Sequence, residues 1–117
     1  MANLVKIKKI ALYTALTEDA AECYNAMKLL KDNNVPFSHL NWRDGDEIHN
    51  VFTPLNTWNF SDNGEDTHQK VFTKMPIVHW ECVYDNDNVL VNAAQGYDEL
   101  VNSQLMANLD KIVVPIS

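Results

Sequence analysis

The spacing of hydrophobic residues changes twice within the first 42 positions and predicts a strand, a helix and a second strand. Residues Val5 to Thr14 are rich in β-branched and aromatic side chains, which favour a strand. Apolar residues then recur at helical spacing on one face, at Ala20, Cys23, Tyr24, Met27 and Leu30. Asn33 to Pro36 ends this helix, and Phe37 to Trp42 predicts the next strand. This order is a βαβ unit with a right-handed crossover.

The pattern becomes regular again from Pro76 onward. Ile77 to Tyr84 and Asn88 to Asn92 predict two strands joined by the turn Asp85–Asp87, which makes an antiparallel hairpin. After Gly96, a helical stripe predicts a final helix through Leu100, Val101, Leu105 and Leu109. We therefore expect one α/β domain over residues 1–117, with helices on both faces of a hydrophobic sheet.

The middle of the chain, residues 43–72, has no regular period. Glu47 to Phe52 favours one or two helical turns, and Asp66 to Phe72 favours a short helix that begins at Asp66. Asn63-Gly64 suits a type I′ hairpin that pairs Trp58 and Phe60 with the residues that follow. We interpret about 43–72 as an irregular, divergent insertion within the domain.

Composition and charge narrow the class of protein. A chain of 117 residues with 46% hydrophobic residues suits a single globular domain. The net charge of −7 repels phosphate backbones, so nucleic-acid binding is not expected. Apolar runs are too short for a membrane span, and the N-terminal residues do not resemble a secretory signal. The 14 asparagines fit a gene from an A/T-rich genome such as that of a phage.

The two cysteines, Cys23 and Cys82, form neither a Cys-x-x-Cys pair nor a disulfide framework, which indicates a reducing cytoplasm. The histidines lack metal-ligand spacing, so no metal site is expected, at His39, His49, His68 and His79. With three glycines in the chain, a phosphate-binding loop is not expected either.

Two blocks, about 12–42 and 73–101, resemble the glutaredoxin family. The first carries a Tyr-Thr pair, a cysteine that opens an amphipathic helix with a Leu-Leu pair, and Val-Pro-Phe, at Tyr13-Thr14, Cys23–Leu30 and Val35–Phe37. The second carries a Thr-x-x-Pro segment and a Gly-Tyr-Asp segment, at Thr73–Val78 and Gln95–Leu100. The resemblance implies a thioredoxin fold with a four-stranded mixed sheet.

The resemblance also implies a ligand groove. Pro76 corresponds to the family's cis-proline, and the main chain of Met75 pairs there with an extended ligand. The start of the last helix would bind a carboxylate, such as that of the γ-glutamyl end of glutathione, and Asp98 would take the amine. The ligand-binding residues implied in this way are Tyr13, Met75, Pro76, Gly96, Tyr97 and Asp98. Alternatively, Pro76 is an ordinary trans-proline, Gly96 serves the turn, and Asp98 caps the helix.

The chain differs from the family at the positions of the active-site cysteines. When the helices are aligned, Cys23 takes the place of the second active-site cysteine and Ala20 that of the first. The family's nucleophile lies at the helix N-terminus, where the dipole stabilises a thiolate, but Thr17-Glu18-Asp19 stands there in this chain. Ala15 replaces a lysine that helps to hold glutathione. Cys23 is either a reactive thiol or a small buried hydrophobe, and we expect the second because it lies a turn inside the helix.

Three functions are consistent with the sequence. The first is a binding module that keeps the groove beside Pro76 for a peptide, a partner protein or glutathione, and does not exchange disulfides. The second is a monothiol glutaredoxin-like reductase that uses Cys23 with glutathione. The third is a structural role in which the insertion supplies a protein interface. We favour the first, because the position of the nucleophile is empty, and we expect no cofactor other than a bound glutathione.

Overall fold

The two regular parts of the sequence fold onto one four-stranded mixed sheet. The computed structural model describes residues 3–15, 20–42, 55–61 and 64–113. The strands of the sheet lie in the order β2-β1-β5-β6, with the bounds β1 (Leu4–Ala15), β2 (Ser38–Trp42), β5 (Ile77–Tyr84) and β6 (Val89–Gln95). β1 runs parallel to β2 and antiparallel to β5, and β5 runs antiparallel to β6. The predicted mixed sheet is therefore confirmed.

Two further strands, β3 (Asn59–Phe60) and β4 (His68–Gln69), form a separate antiparallel ribbon. Phe60 is thus paired with a later residue, as the sequence predicted, although its partner is His68 and the connection is longer than a two-residue turn. The helix predicted from Asp66 to Phe72 is wrong, because β4 lies within this range and none of its residues is helical. The helical turn predicted for 47–52 lies outside the described residues, as do Thr17–Asp19 and Asn63.

Apart from the helical residue Leu55, the helices of the described ranges are α1 (Ala20–Asp32), α2 (Tyr97–Val101) and α3 (Gln104–Ala107), followed by a 3-10 turn at Leu109–Lys111. The single last helix that the sequence predicted is broken after Val101. Ser103 causes the break, because its main chain is extended and its hydroxyl accepts a hydrogen bond from the Met106 N–H at 3.3 Å, which caps a new helix. Tyr24, expected on the buried face of α1, is 61% exposed instead.

One face of the sheet packs against these helices. Alternate residues of β5 are buried on this face, at Val78, Trp80, Cys82 and Tyr84. They contact Ala26 and Leu30 of α1, and Leu100 and Leu105 of the C-terminal helices. Burial of each large side chain contributes roughly 1.5–3 kcal/mol, so this cluster forms the main core of the domain.

A second core covers the opposite face. Here Phe60 of β3 and Phe72 meet edge to face, with ring centroids 5.5 Å apart, and both are buried. Leu55 joins them, and together they cover Ile77 and Ala93 of the sheet. In the described ranges, α1 and the C-terminal helices thus pack on one face, and the ribbon lies on the other together with its flanking segments, which include the helical residue Leu55.

Candidate functional site

Three segments that are distant in sequence meet at the end of the sheet where β1 ends and β5 begins. The Gly96 N–H donates to the Pro76 carbonyl oxygen at 2.8 Å, which joins the turn before α2 to the segment before β5. The Tyr97 N–H donates to Oε1 of Glu22 at 3.2 Å, which joins the same turn to the first part of α1. The structure therefore places the start of α1, the bend before Ile77 and the start of α2 side by side.

The segment before Pro76 is held by the side-chain amide of Gln95. Gln95 Oε1 accepts hydrogen bonds from the Thr73 N–H at 2.7 Å and the Lys74 N–H at 3.2 Å. The Met75–Pro76 peptide bond is cis. Met75 is only 1% exposed, and Pro76 is also fully buried. The accessible part of this bend is consequently its rim, at Thr73 and Lys74, and not the main chain beside Pro76.

Cys23 lies in the apolar cluster behind this rim. Its side chain is 5% exposed and belongs to the same buried cluster as Ala15, Met75 and Ile77. α1 begins at Ala20, so the thiol is one turn inside the helix and away from the N-terminal N–H groups that stabilise a thiolate. Met75 and Cys23, both candidate site residues, thus meet as packing partners.

The turn at Gly96 is built around an internal carboxylate. Gly96 has φ +85°, a left-handed backbone conformation that L side chains rarely adopt, so the position favours glycine. The Tyr97 N–H, which the resemblance assigned to a ligand carboxylate, is taken by Glu22. Asp98 is exposed and makes no capping hydrogen bond for α2, so the alternative in which it caps the helix is wrong.

Tyr13 belongs to a different part of the site. Its hydroxyl lies 2.8 Å from Nε2 of His79, and the two rings are 5.2 Å apart on the face of the sheet opposite α1. Trp58 packs edge-on against His79 at 5.4 Å. Burial raises the pKa of Tyr13, and burial lowers the pKa of His79, although the nearby Glu81 carboxylate acts in the opposite direction. His79 is therefore a neutral partner of Tyr13 at neutral pH.

The second cysteine is buried in a polar network beneath the C-terminal helices. Gln104 Oε1 accepts hydrogen bonds from the Cys82 thiol at 3.0 Å, Trp80 Nε1 at 3.3 Å and Asn92 Nδ2 at 2.9 Å. Burial raises the pKa of the Cys82 thiol to about 11, with hydrogen bonds to Tyr84 and Trp80 acting in the opposite direction. This thiol is therefore protonated and structural at neutral pH.

Sequence reasoning missed the residues that hold the site together, which are Glu22, Gln95 and Lys74. Glu22 carries the weak signal of an acidic residue in the first turn of a helix, which indicates a favourable dipole contact but not its partner 75 positions later. Among the described residues, no group of histidine, cysteine and acidic side chains is arranged to hold a metal ion. No helix in the described ranges has the length and apolar character needed to cross a membrane.

Comparisons with known proteins bear on this geometry. No family model matches the chain, and no curated protein matches it either. Among solved structures, the chain is similar to a crystal structure of glutaredoxin 1 from Francisella tularensis complexed with cacodylate. The superposition has a TM-score of 0.51 at 19% identity, and covers 90% of this chain and 94% of that one. At this identity the likeness establishes the fold alone, and the chain therefore has a glutaredoxin-like thioredoxin fold.

Proposed function

We propose that this chain is a binding module with a glutaredoxin-like fold that does not exchange disulfides. The observation that carries the proposal is the burial of both thiols, because Cys23 is 5% exposed and Cys82 is fully buried. Thiol–disulfide exchange needs a thiolate that can reach a disulfide sulfur in line. Neither sulfur meets this requirement, and α1 begins with Ala20, where the family carries its nucleophile.

The partner in this proposal is a protein or a peptide that binds at the rim beside Pro76. The rim residues Thr73 and Lys74 are exposed, and the half-buried Gln95 and Tyr97 lie beside them. Glutathione is a weaker candidate, because Glu22 already holds the Tyr97 N–H and adds a negative charge where a ligand carboxylate would lie. Cys23 and Cys82 are not joined in a disulfide, which fits the reducing cytoplasm expected from the sequence.

The proposal is tested by thiol labelling and disulfide turnover of the folded chain. We expect an aromatic disulfide reagent to label neither cysteine until the chain is unfolded in denaturant. We also expect the rate at which glutathione reduces a small disulfide to be the same with the wild type, with Cys23→Ser and without protein. Glutathione-dependent turnover that Cys23→Ser abolishes would establish the monothiol reductase and overturn the proposal.

A matched control places a thiol at the first position of α1. Ala20→Cys introduces a cysteine as the first residue of α1, a position at which the helix dipole lowers the pKa of a thiol. We expect the folded variant to react with the reagent at a single site while Cys23 and Cys82 stay protected. Equal labelling of Cys23 and the introduced thiol would show that this end of α1 is open, and would remove the basis for a module without thiol chemistry.

A further inference from the structure

A half-buried histidine, His79, joins the sheet to the segment that leads into the ribbon. Its Nε2 lies 2.8 Å from the Tyr13 hydroxyl oxygen. The Trp58 ring packs against the imidazole with the ring centroids 5.4 Å apart and an interplanar angle of 72°. Trp58 in turn lies 6.3 Å from the ring of Phe60 in β3. The imidazole is therefore packed between β1 and the residues that place the ribbon over the sheet.

The ribbon itself is short and depends on packing for its position. β3 and β4 pair over two residues each, and the Phe60 ring is buried in the second core. The Ser61 N–H, directly after β3, donates to the Val91 carbonyl oxygen of β6 at 2.9 Å. A two-stranded ribbon is marginally stable by itself, and such units open locally while the rest of a domain stays folded. The Ser61–Val91 hydrogen bond therefore reports whether the ribbon is closed.

The groups around His79 decide how it responds to acid. In the described ranges, uncharged side chains pack around it from β1, β6 and the segment before β3, namely Ala11, Tyr13, Ala93 and Trp58. The nearby carboxylate is that of Glu81, two residues along β5, and it favours the imidazolium ion. Its Oε2 lies 3.6 Å from Lys9 Nζ, and Lys8 is its cross-strand neighbour on β1. The attraction of Glu81 for a proton on His79 is thus offset by two lysines.

Burial outweighs Glu81 and lowers the pKa of His79 from its ordinary value of 6.5. An open ribbon leaves the imidazole in water, where the pKa returns toward that value. The closed ribbon is consequently favoured in full above about pH 6.5, and it loses this contribution as the pH falls below that value. Because a single proton is taken up, the opening equilibrium changes by at most about tenfold per pH unit.

We propose that protonation of His79 favours opening of the ribbon and uncovers the face of the sheet beneath it, so that β3 and β4 form an acid-sensitive cover. The face includes Ile77 and Ala93, with Tyr13 beside them. The inference goes beyond the proposed function, which concerns the rim beside Pro76. It requires neither a reactive thiol nor a bound partner.

The test is amide hydrogen exchange of the full chain between about pH 7.5 and about pH 5.5, corrected for intrinsic chemical exchange. We expect the protection of the Ser61 amide to fall with acid by up to about tenfold, while the amides that join β1 to β5 stay more strongly protected. The imidazole resonances of His79 and the indole N–H resonance of Trp58 should titrate over the same pH range as this change. These measurements on the wild type test the inference without any substitution.

His79→Gln is the informative variant, because its amide can keep the hydrogen bond to Tyr13 and does not titrate. Its Ser61 protection should not depend on pH. His39→Gln is the matched control, since His39 Nε2 also lies 2.8 Å from a hydroxyl, that of Thr14, but its side chain is exposed. This control should keep the pH dependence of the wild type, and so should His68→Gln, which removes the exposed histidine of β4.

Three results would overturn the inference. One is a Ser61 protection that changes by less than about twofold with pH in the wild type. Another is a pH dependence that persists in folded His79→Gln, which would assign it to a different group. The third is a Ser61 amide protected as strongly as those between β1 and β5, which would mean that the ribbon opens only on global unfolding. None of these results bears on disulfide turnover, so the proposed function stands or fails separately.

Discussion

Glu22 shows how one side chain changes what the site can accept. Its carboxylate lies on α1, in the first turn, and reaches the Tyr97 N–H at 3.2 Å. The Lys74 side chain also lies against Gly96, with Nζ 2.9 Å from the place that a Cβ would occupy. The start of α2 is thereby enclosed by residues of the chain itself. A ligand carboxylate would have to displace Glu22 and overcome its charge.

Removal of Glu22 should therefore open this position to glutathione. We expect Glu22→Ala to bind glutathione about tenfold more tightly than the wild type, because the variant lacks both the internal acceptor and the repelling charge. Titration followed at the Tyr97 amide measures the effect. Glu22→Gln keeps an acceptor oxygen but loses the charge, so its affinity should fall between the two. Equal affinities in all three proteins would contradict the assigned role of Glu22.

At the scale of elements, the end of α1 shows how a helix is stopped by backbone conformation. Asn34 has φ +58°, and the Val35 N–H donates to the Leu30 carbonyl oxygen at 2.9 Å while the Asn34 N–H donates to Lys31 at 3.0 Å. This pair of hydrogen bonds is a Schellman motif. It turns the chain so that Val35 enters the core and β2 can run parallel to β1.

The motif predicts opposite effects for two small residues at position 34. Glycine adopts a left-handed conformation freely, whereas alanine pays about 1–2 kcal/mol there. We expect Asn34→Ala to lower the free energy of unfolding by about 1 kcal/mol, and Asn34→Gly to leave it unchanged or to raise it by a few tenths. Denaturant unfolding measures both. Equal stability of the alanine and glycine variants would show that the left-handed turn does not form.

At the scale of the whole molecule, the buried Cys82 thiol makes stability depend on alkaline pH. Its pKa is raised from an ordinary value of 9.0 to about 11 in the folded chain. Between these values the unfolded chain has lost the proton and the folded chain retains it. The stabilisation is thus complete below about pH 9 and is lost as the pH rises toward 11.

We expect the free energy of unfolding to fall over this range by up to about 3 kcal/mol on account of Cys82. Cys82→Ser is the control, because a hydroxyl can keep the hydrogen bond to Gln104 and does not ionise. The difference in stability between wild type and variant should shrink from pH 9 to pH 11. A difference that stays constant with pH would mean that the thiol does not titrate with folding.

Local sequence patterns were enough to predict most strands of the four-stranded sheet. Ile77–Tyr84 was predicted with its observed bounds, because four alternate residues of β5 face one core and leave a clear period in the sequence. The prediction failed for Asp66–Phe72, where no such period exists and β4 owes its pairing to β3. The prediction also gave the last helix as continuous. The break arises because the Ser103 hydroxyl donates to the Leu100 carbonyl and accepts from the Met106 N–H, contacts that form only in the folded chain.

The sequence by itself determined the first helix and the strands of the four-stranded sheet, and that neither cysteine has a partner thiol one turn away. Those properties depend on residues within about ten positions, where periodicity and propensity act. Only the tertiary structure decided that Glu22 lies against Tyr97 and that Lys70 and Glu99 form hydrogen bonds with the main chain of β6. Exposed or half-buried charged residues leave no period in the sequence, so their partners are fixed only when the sheet brings distant segments together.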